Sequence, residues 1–277
     1  MRIAVMADIH GNLPAFEAAL KHSRNLSLDL LVLAGDVING APDSRGCWDL
    51  AKSLNCPIIR GNHERYVGMF GRENAPPEWS TDRFAPVRWS AGQFSDVERQ
   101  SLLDLPLEWT SLTLPDIYFC HSSKKGDSDL VAAYSTEAEI DRIFEPINAP
   151  LILRGHNHAP AIRPWKKSTI VTAGSVGLTL DGVPSAQYVV LTGDPGAWRI
   201  EHQSVEYDID AALDRFKTSG YLEYAGPMAK LFYREVATAS FQIVPFMRMY
   251  TLWLKQEPLS LDEALERYLN AGCGFCL

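Results

Sequence analysis

Short apolar runs alternate with helical periodicity along the first part of the chain. Runs with β-branched members at Arg2–Ala7 and Leu28–Ala34 predict two strands, and Pro57–Arg60 predicts a shorter third strand. Apolar residues recur at helical spacing in Leu13–Ser23, and Ser44–Leu54 also favours a helix. This alternation predicts parallel strands joined by crossover helices, and in such sheets functional sites form where the strands end.

The middle of the chain predicts an insertion and then a series of further strands. Residues 75–92 are rich in proline and tryptophan, and helical periodicity resumes at Ser95–Leu103. Trp109–Leu114 and Ile117–Cys120 predict a hairpin that turns at Pro115-Asp116. One helix and four strands follow, with the helix at Thr136–Phe144 and the strands at Leu151–Arg154, Thr169–Ala173, Gln187–Leu191 and Trp198–His202. Two facing sheets with outer helices, a four-layer α/β/β/α sandwich, satisfy this α/β order better than one open sheet.

The last part of the chain has a different pattern. From Asp208 onward the periodicity is helical, with Pro227, Pro245 and Pro258 as breakers. We therefore predict two parts, an α/β domain over residues 1–207 and a C-terminal helical appendage over residues 208–277. The appendage carries many large apolar side chains, so we expect it to fold back on the domain or to form a homo-oligomer.

Composition and charge restrict the class of protein. Of the 277 residues, 46% are hydrophobic and 22% charged, which is typical of a globular protein with a substantial core. The formal net charge of -8 opposes bulk electrostatic binding to nucleic acid or to an anionic membrane. Asp8 interrupts the first apolar run too early for a signal peptide, and Phe241–Leu254 is shorter than the ~20 residues of a membrane span.

The cysteines indicate a reducing compartment. The chain has five of them, an odd and scattered set that does not fit a disulfide framework. Cys273 and Cys276 resemble a redox C-x-x-C pair only superficially, because no strand precedes them. We expect a cytoplasmic protein.

Polar side chains with metal-binding chemistry follow the predicted strands. Five of the seven histidines lie at strand ends beside Asp, Asn or Gly. The segments are Asp8-Ile9-His10-Gly11-Asn12, Gly35-Asp36, Gly61-Asn62-His63-Glu64, His121 and Gly155-His156-Asn157-His158. Imidazole, carboxylate and amide oxygens together suit divalent Mn, Fe, Zn, Ni or Co, whereas a structural zinc site favours thiolates. Capping and turn chemistry could explain any one of these residues, but not the set.

In the order D-x-H, G-D, G-N-H-E, H and G-H-x-H, these segments resemble the calcineurin-like metallophosphoesterases. The resemblance extends from Met1 to about Val205 and does not cover the chain beyond about Ser219. The run Ala173–Gly177, followed by a strand, resembles the small bacterial phosphodiesterase-like branch of that family. The resemblance implies a metallophosphoesterase sandwich that holds two divalent metal ions.

The resemblance also implies which side chains hold the two ions. The first ion would be held by Asp8, His10, Asp36 and His158, and the second by Asp36, Asn62, His121 and His156. Asp36 would bridge them and place negative charge between two cations that otherwise repel. Two such ions, ~3.5 to 4 Å apart, can share a water, lower its pKa and clamp both the attacking and the leaving oxygen.

Three further residues bear on the chemistry. The resemblance makes His63 the group that protonates the leaving alkoxide or stabilises the charge on it, with an ordinary loop histidine as the alternative. Asn39 stands where the protein-phosphatase branch has an Asp, and an amide orients an imidazole without stabilising its cation. Arg60 precedes a metal loop and is a candidate for bidentate phosphate binding, with a surface charge as the alternative.

The leading hypothesis is a phosphoesterase that uses a metal-bound hydroxide to hydrolyse phosphodiester or nucleotide-type phosphoanhydride bonds. Competing hypotheses are a phosphomonoesterase or nuclease of the same superfamily, and a non-catalytic metal-binding interaction scaffold. We expect a small phosphate-ester or nucleotide substrate, and neither a membrane nor a bulk nucleic-acid partner. Trp79, Phe84 and Trp89 of the insertion favour packing on the domain over an aromatic lid that stacks on a nucleobase.

Overall fold

This computed structural model describes residues 1–271, which contain nine strands, eleven α-helices and two short 3₁₀ helices. The strands are β1 (Arg2–Met6), β2 (Leu30–Leu33), β3 (Glu108–Ser111), β4 (Leu114–Cys120), β5 (Leu151–Arg154), β6 (Ala161–Trp165), β7 (Ser168–Thr172), β8 (Ala186–Asp194) and β9 (Ala197–Val205). The helices are α1 (Leu13–Arg24), α2 (Ser44–Ser53), α3 (Asn62–Met69), α4 (Ala85–Ala91), α5 (Asp96–Leu103), α6 (Glu137–Phe144), α7 (Ile209–Thr218), α8 (Tyr221–Tyr224), α9 (Ala229–Thr238), α10 (Ile243–Trp253) and α11 (Leu261–Asn270). Cys273 and Cys276 lie outside the described residues.

The strands form two sheets. The first has the order β2-β1-β8-β9, with β1 parallel to β2 and antiparallel to β8. The second has the order β3-β4-β5-β7-β6, with β4, β5 and β7 parallel. Ile3 and Val5 point into the apolar layer between the sheets, whereas Ala4 and Met6 point to the opposite face, as the two-residue period of a strand requires.

Helices cover the outer face of each sheet. Phe16 of α1 and Trp48 of α2 pack in the apolar cluster outside the first sheet. Ile140 and Phe144 of α6 pack in the cluster outside the second sheet, with Ile152. The predicted four-layer α/β/β/α sandwich is therefore confirmed.

Two local predictions differ from the structure, and one strand is missing from the prediction. Pro57–Arg60 forms only one parallel bridge, between Leu33 and Ile58, because Pro57 has no N–H to extend the ladder and the chain turns at Gly61. The hairpin turns at residues 112–113, and Pro115 lies inside β4. The edge strand β6 was not predicted, since its Pro164 and its charged and exposed residues hide the pattern.

The insertion packs on the rest of the fold. It contains the 3₁₀ helices Pro77–Ser80 and Asp82–Phe84 and then α4. The rings of Trp79 and Phe84 stack at 5.6 Å, and Trp79 is buried. Trp89 contacts the ring of Tyr221 in the C-terminal helices. These contacts agree with the packing interpretation of the aromatic residues.

The C-terminal helices fold back on the α/β layers. Phe216 of α7 and Tyr221 of α8 share an apolar cluster with Ala41 and Leu178, which belong to the loops beside the strand ends. The hydroxyl of Tyr221 donates to the carbonyl oxygen of Gly40 at 2.6 Å. The two-domain division at residue 208 and self-association through these helices remain predictions. Within residues 1–271, no helix combines the length and the apolar character that crossing a membrane requires.

We expect the Tyr221→Phe variant to lower the free energy of unfolding by about 1–3 kcal/mol, because it leaves the buried Gly40 carbonyl without its donor. Denaturant unfolding of the purified proteins measures the difference. Tyr224→Phe is the matched control, since Tyr224 is 65% exposed and its variant should stay within about 0.5 kcal/mol of the parent. Equal stability of both variants would show that the Tyr221 hydroxyl does not anchor the helix.

Candidate metal centre

The side chains predicted to bind metal converge where strands from both sheets end. Asp8 follows β1, Asp36 follows β2, His121 directly follows β4, and His156 follows β5. Asn62 begins α3. Because β1 and β2 run parallel in one sheet and β4 and β5 in the other, their carboxyl ends meet at one edge of the sandwich. All seven predicted ligands are brought together there.

The first group of ligand atoms includes a ring nitrogen from each of two histidines. Nε2 of His10 lies 3.1 Å from Nε2 of His158 and 3.8 Å from Oδ2 of Asp36. Oδ1 of Asp8 lies 3.9 Å from Nε2 of His10 and 3.7 Å from Nε2 of His158. Asp8, His10 and Asp36 are almost completely buried. This group is the one that the family resemblance assigns to the first ion.

The second group lies on the other side of Asp36. Nε2 of His121 is 3.3 Å from Oδ2 of Asp36 and 3.1 Å from Oδ1 of Asn62. The rings of His121 and His156 have centroids 5.1 Å apart, and ligand atoms of Asp36, His121 and His156 lie within 4.8 Å of one another. Oδ2 of Asp36 therefore borders both groups.

Backbone carbonyls fix the proton on three of the imidazoles. Nδ1 of His10 lies 2.8 Å from the oxygen of Asn39, Nδ1 of His121 lies 2.7 Å from that of Ala34, and Nδ1 of His158 lies 2.6 Å from that of Leu178. A carbonyl oxygen only accepts, so each Nδ1 carries a proton, and in its neutral form each imidazole presents a lone pair at Nε2. The lone pairs of His10 and His158 consequently face each other at 3.1 Å. Such an arrangement fits a cation, and imidazole and carboxylate donors suit a divalent first-row metal.

The electrostatic environment of the second group of ligand atoms also favours a positive charge beside Asp36. Burial opposes ionisation of His121, but the Asp36 carboxylate outweighs it and raises the pKa of His121 to about 9. Burial also opposes the charge on Asp36, and the neighbouring imidazoles His121 and His63 nevertheless hold its pKa well below the usual value. Asp36 is thus a carboxylate held in its charged form between two sets of nitrogen donors.

The backbone at the site is strained. Five of the seven predicted ligands have positive φ angles, at Asp8, His10, Asp36, His156 and His158. For a residue with a Cβ this conformation costs roughly 1–2 kcal/mol, and it persists only where surrounding contacts enforce it. Strain of this kind concentrates at functional sites, which supports a function for the cluster.

Glu64 holds the loops in place from the side away from the ligand atoms, a role that the sequence analysis does not predict. Its carboxylate accepts from the N–H groups of Asp36 at 2.9 Å, Val37 at 2.7 Å and Gly61 at 2.8 Å. Burial raises its pKa to about 7. The signal was present in the sequence, because a Glu three residues after Gly61 completes a capping pattern at the start of α3.

His63 lies beside both groups. Its backbone N–H donates to Oδ1 of Asp36 at 2.8 Å, and its ring is 4.5 Å from that of His10 between centroids. Nδ1 of His63 lies 2.7 Å from the side-chain nitrogen of Asn39, so the residue that replaces the expected Asp does contact the imidazole. Burial lowers the pKa of His63.

Arg60 lies apart from this cluster. Its Nη1 donates to the carbonyl oxygen of Leu103 at 2.6 Å, which attaches the loop to the end of α5. Arg154 is fully buried and donates to Ser122 and Asn157, neighbours of the predicted ligands. Arg60 remains a predicted substrate contact, whereas Arg154 connects the two loops that carry the histidines.

Comparisons with known proteins agree with this geometry. The family model for the calcineurin-like phosphoesterases matches residues 1–160. An uncharacterized protein of Methanocaldococcus jannaschii is 26% identical over 245 residues, which are 81% of this chain and 95% of that protein. A metallophosphoesterase structure from Sphaerobacter thermophilus is 24% identical with a TM-score of 0.68, covering 86% of this chain and 99% of that one. The structure of a hypothetical protein from Pyrococcus horikoshii OT3 is 20% identical with a TM-score of 0.70, covering 82% of this chain and 97% of that one. At these identities the two structures support the fold.

We expect the Gly61→Ala variant to lose metal affinity although it removes no ligand. A Cβ at position 61 would lie 2.1 Å from Oδ1 and 2.5 Å from the backbone nitrogen of Asp36, so the Asp36 carboxylate must move. Titration of the metal-free protein with Mn²⁺ by calorimetry measures the affinity. Gly126→Ala is the control, because nothing lies within 4 Å of its Cβ. Unchanged affinity in Gly61→Ala would contradict the positioning of Asp36 by this contact.

Proposed function

The chain belongs to the calcineurin-like phosphoesterase family, and on that premise we propose that it is a dinuclear-metal-dependent hydrolase of phosphodiester or nucleotide-type phosphoanhydride bonds. The observation that carries the proposal is the position of Asp36. Its Oδ2 lies 3.8 Å from Nε2 of His10 on one side and 3.3 Å from Nε2 of His121 on the other. One carboxylate can therefore serve two groups of donors, as a two-metal site requires.

Each group of side chains would hold one ion. The residues assigned to the first ion are Asp8, His10, Asp36 and His158, and those assigned to the second are Asp36, Asn62, His121 and His156. When bound, two ions of the Mn, Fe, Zn, Ni or Co type supply Lewis acidity for in-line attack of water on phosphorus. The negative charge of Asp36 offsets the repulsion between them.

We assign His63 to the oxygen that gains charge during the reaction. It adjoins His10 and Asp36 but lies outside the predicted ligand set. A donor at this place stabilises the leaving group or a phosphoryl oxygen, and removal of such a group typically costs ~10² to 10⁴ in turnover.

The arginines near the site support a substrate with a single negative charge at phosphorus. Among residues 1–271, the three that adjoin the metal motifs all have protein partners. Arg60 donates to Leu103 through Nη1 only and is the extra anion contact that we propose. Arg65 forms a two-pronged ion pair with Asp127 at 2.8 and 3.0 Å, and Arg154 is buried. A monoester dianion gains from free cationic clamps, whereas a diester monoanion depends mainly on the metal charge. Because Arg65 and Arg154 are engaged by the protein, the arginines favour a diester or anhydride.

Further parts of the proposal concern partners and location. A small phosphate ester or nucleotide is the proposed substrate, because the net charge of -8 opposes a surface that follows duplex nucleic acid. We also propose a cytoplasmic enzyme, on the grounds of its cysteine usage.

We expect kcat/KM for bis(4-nitrophenyl) phosphate to exceed that for 4-nitrophenyl phosphate, both measured with Mn²⁺ at one pH. The reason is that Arg65 and Arg154, which adjoin the metal motifs, are already engaged by the protein. Protein stripped with EDTA is the control and should lose turnover on both substrates. An advantage of about tenfold or more for the monoester, ~1.4 kcal/mol in transition-state free energy, would replace the diesterase assignment with a phosphomonoesterase.

An extended substrate panel distinguishes the proposed enzyme from a nuclease and from a non-catalytic scaffold. Adding a dinucleoside polyphosphate, a cyclic nucleotide and linear duplex DNA covers anhydride, cyclic diester and nuclease substrates. Preferential cleavage of the DNA would favour a nuclease. Two bound metal ions per chain without turnover of any substrate would favour the non-catalytic scaffold.

A further inference from the structure

A closed ring of hydrogen bonds lies behind His63. The backbone N–H of Asn39 donates to Oγ of Ser44 at 3.0 Å, the hydroxyl of Ser44 donates to Oγ of Ser90 at 3.0 Å, and the hydroxyl of Ser90 donates to Oδ1 of Asn39 at 3.1 Å. Asn39 is 1% exposed, and both serines are completely buried. The three residues come from the loop after β2, the start of α2 and the interior of α4.

The number of protons and acceptors allows only one direction of hydrogen-bond donation around the ring. Oγ of Ser44 accepts from the backbone N–H of Asn39, and the hydroxyl of Ser44 donates to Oγ of Ser90. The hydroxyl proton of Ser90 then requires an acceptor, which is the amide oxygen of Asn39. If the amide were reversed, its NH₂ would donate to Ser90, Ser90 would donate to Ser44, and the Ser44 proton would have no acceptor in the ring. A buried hydroxyl without an acceptor is unfavourable, so the ring selects one orientation of the amide.

That orientation determines the tautomer of His63. With Oδ1 facing Ser90, the NH₂ of Asn39 faces Nδ1 of His63 at 2.7 Å. An NH₂ group only donates, so Nδ1 must be the bare acceptor. The single proton of the neutral imidazole is then on Nε2.

We propose that Asn39, Ser44 and Ser90 are positioning residues that hold His63 as a neutral Nε2–H tautomer, and that His63 consequently donates a hydrogen bond without transferring its proton. A neutral imidazole is a much weaker acid than a phenol or a phosphate, so with such leaving groups the Nε2–H bond stays intact and the leaving oxygen departs with its negative charge. An aspartate at position 39 would do the opposite, since it would accept from Nδ1–H and stabilise the imidazolium.

The consequence for specificity rests on the proposed function. A site that stabilises the leaving oxygen by a hydrogen bond alone suits weakly basic leaving groups, such as the phosphate or nucleotide released from a phosphoanhydride and the phenolate of an aryl diester. It is poorly suited to alkyl alcohols, which leave as strongly basic alkoxides. The ring therefore points to anhydrides and aryl-type diesters as the substrate class.

The direct test is nitrogen NMR of the zinc-loaded protein labelled with ¹⁵N-histidine, since Zn²⁺ is diamagnetic. Long-range proton–nitrogen correlations distinguish the two tautomers and the cation, and the His63→Gln variant identifies the His63 signals by their loss. We expect a neutral His63 with its proton on Nε2. A proton on Nδ1, or on both nitrogens, at neutral pH in the wild-type protein would overturn the proposal.

Two variants test the ring itself. Asn39→Asp should move a proton to Nδ1, and Ser90→Ala should give two sets of His63 signals because both amide orientations become equivalent. Ser23→Ala is the matched control, since Ser23 is also a buried serine but donates to Leu20 in α1. A single unchanged tautomer in Ser90→Ala would show that the ring does not orient the amide.

Enzyme kinetics provide a second test, which addresses the specificity role. The ratio of kcat/KM for an aryl diester to that for a dialkyl diester should fall about tenfold in Asn39→Asp, because its imidazolium can protonate the alkoxide. An unchanged ratio would refute the specificity role. If no substrate were hydrolysed, the proposed function would fail, whereas the spectrum would still decide the tautomer.

Discussion

The rest of the structure depends on one constraint, the placement of imidazole lone pairs that face one another at the strand ends. Nε2 of His10 and Nε2 of His158 lie 3.1 Å apart, and both Nδ1 atoms are bound to carbonyl oxygens that require a proton there. The charged Asp36 lies between this pair and His121. Acceptors at such distances repel unless positive charge lies between them, so the geometry is that of a cation site.

The fold maintains this geometry with contacts around the strand ends. Left-handed backbone at five predicted ligands turns their side chains toward one point, and the carboxylate of Glu64 holds the turns by accepting three backbone N–H groups. Gly61 lies so close to Asp36 that an added Cβ would come within 2.1 Å of its Oδ1. The sandwich supplies the frame, because the carboxyl ends of parallel strands from two sheets meet at one edge. Stability and chemistry thus compete here, as the positive φ angles show.

Much of the site could be predicted from the sequence because its signals are local. Each ligand lies within a few residues of a strand end, and an apolar run followed by Gly, Asp, Asn or His is visible without knowledge of the pairing. The strand predicted at Pro57–Arg60 was wrong because one bridge cannot be told from a ladder in a short apolar run. β6 was missed because an edge strand tolerates proline and exposed residues.

What the sequence could not predict are the contacts between distant segments. Ser44 and Ser90 are 46 residues apart, and neither lies in a recognisable motif. Their effect on Asn39, and through it on His63, follows only from three-dimensional proximity. The same holds for Tyr221, whose hydrogen bond to Gly40 spans 181 residues. Local patterns identified the atoms at the centre of the site, and tertiary contacts determine how those atoms are held.

The metal content of the Asp36→Ala variant tests the shared carboxylate most directly. Plasma mass spectrometry of the protein, saturated with Mn²⁺ and freed of excess metal, counts the ions per chain. We expect about two ions in the wild type and fewer than one in Asp36→Ala, because the substitution removes a donor from both groups. Asp49→Ala, which changes an exposed carboxylate on α2, should keep the wild-type content. Two ions per chain in Asp36→Ala would contradict a shared carboxylate.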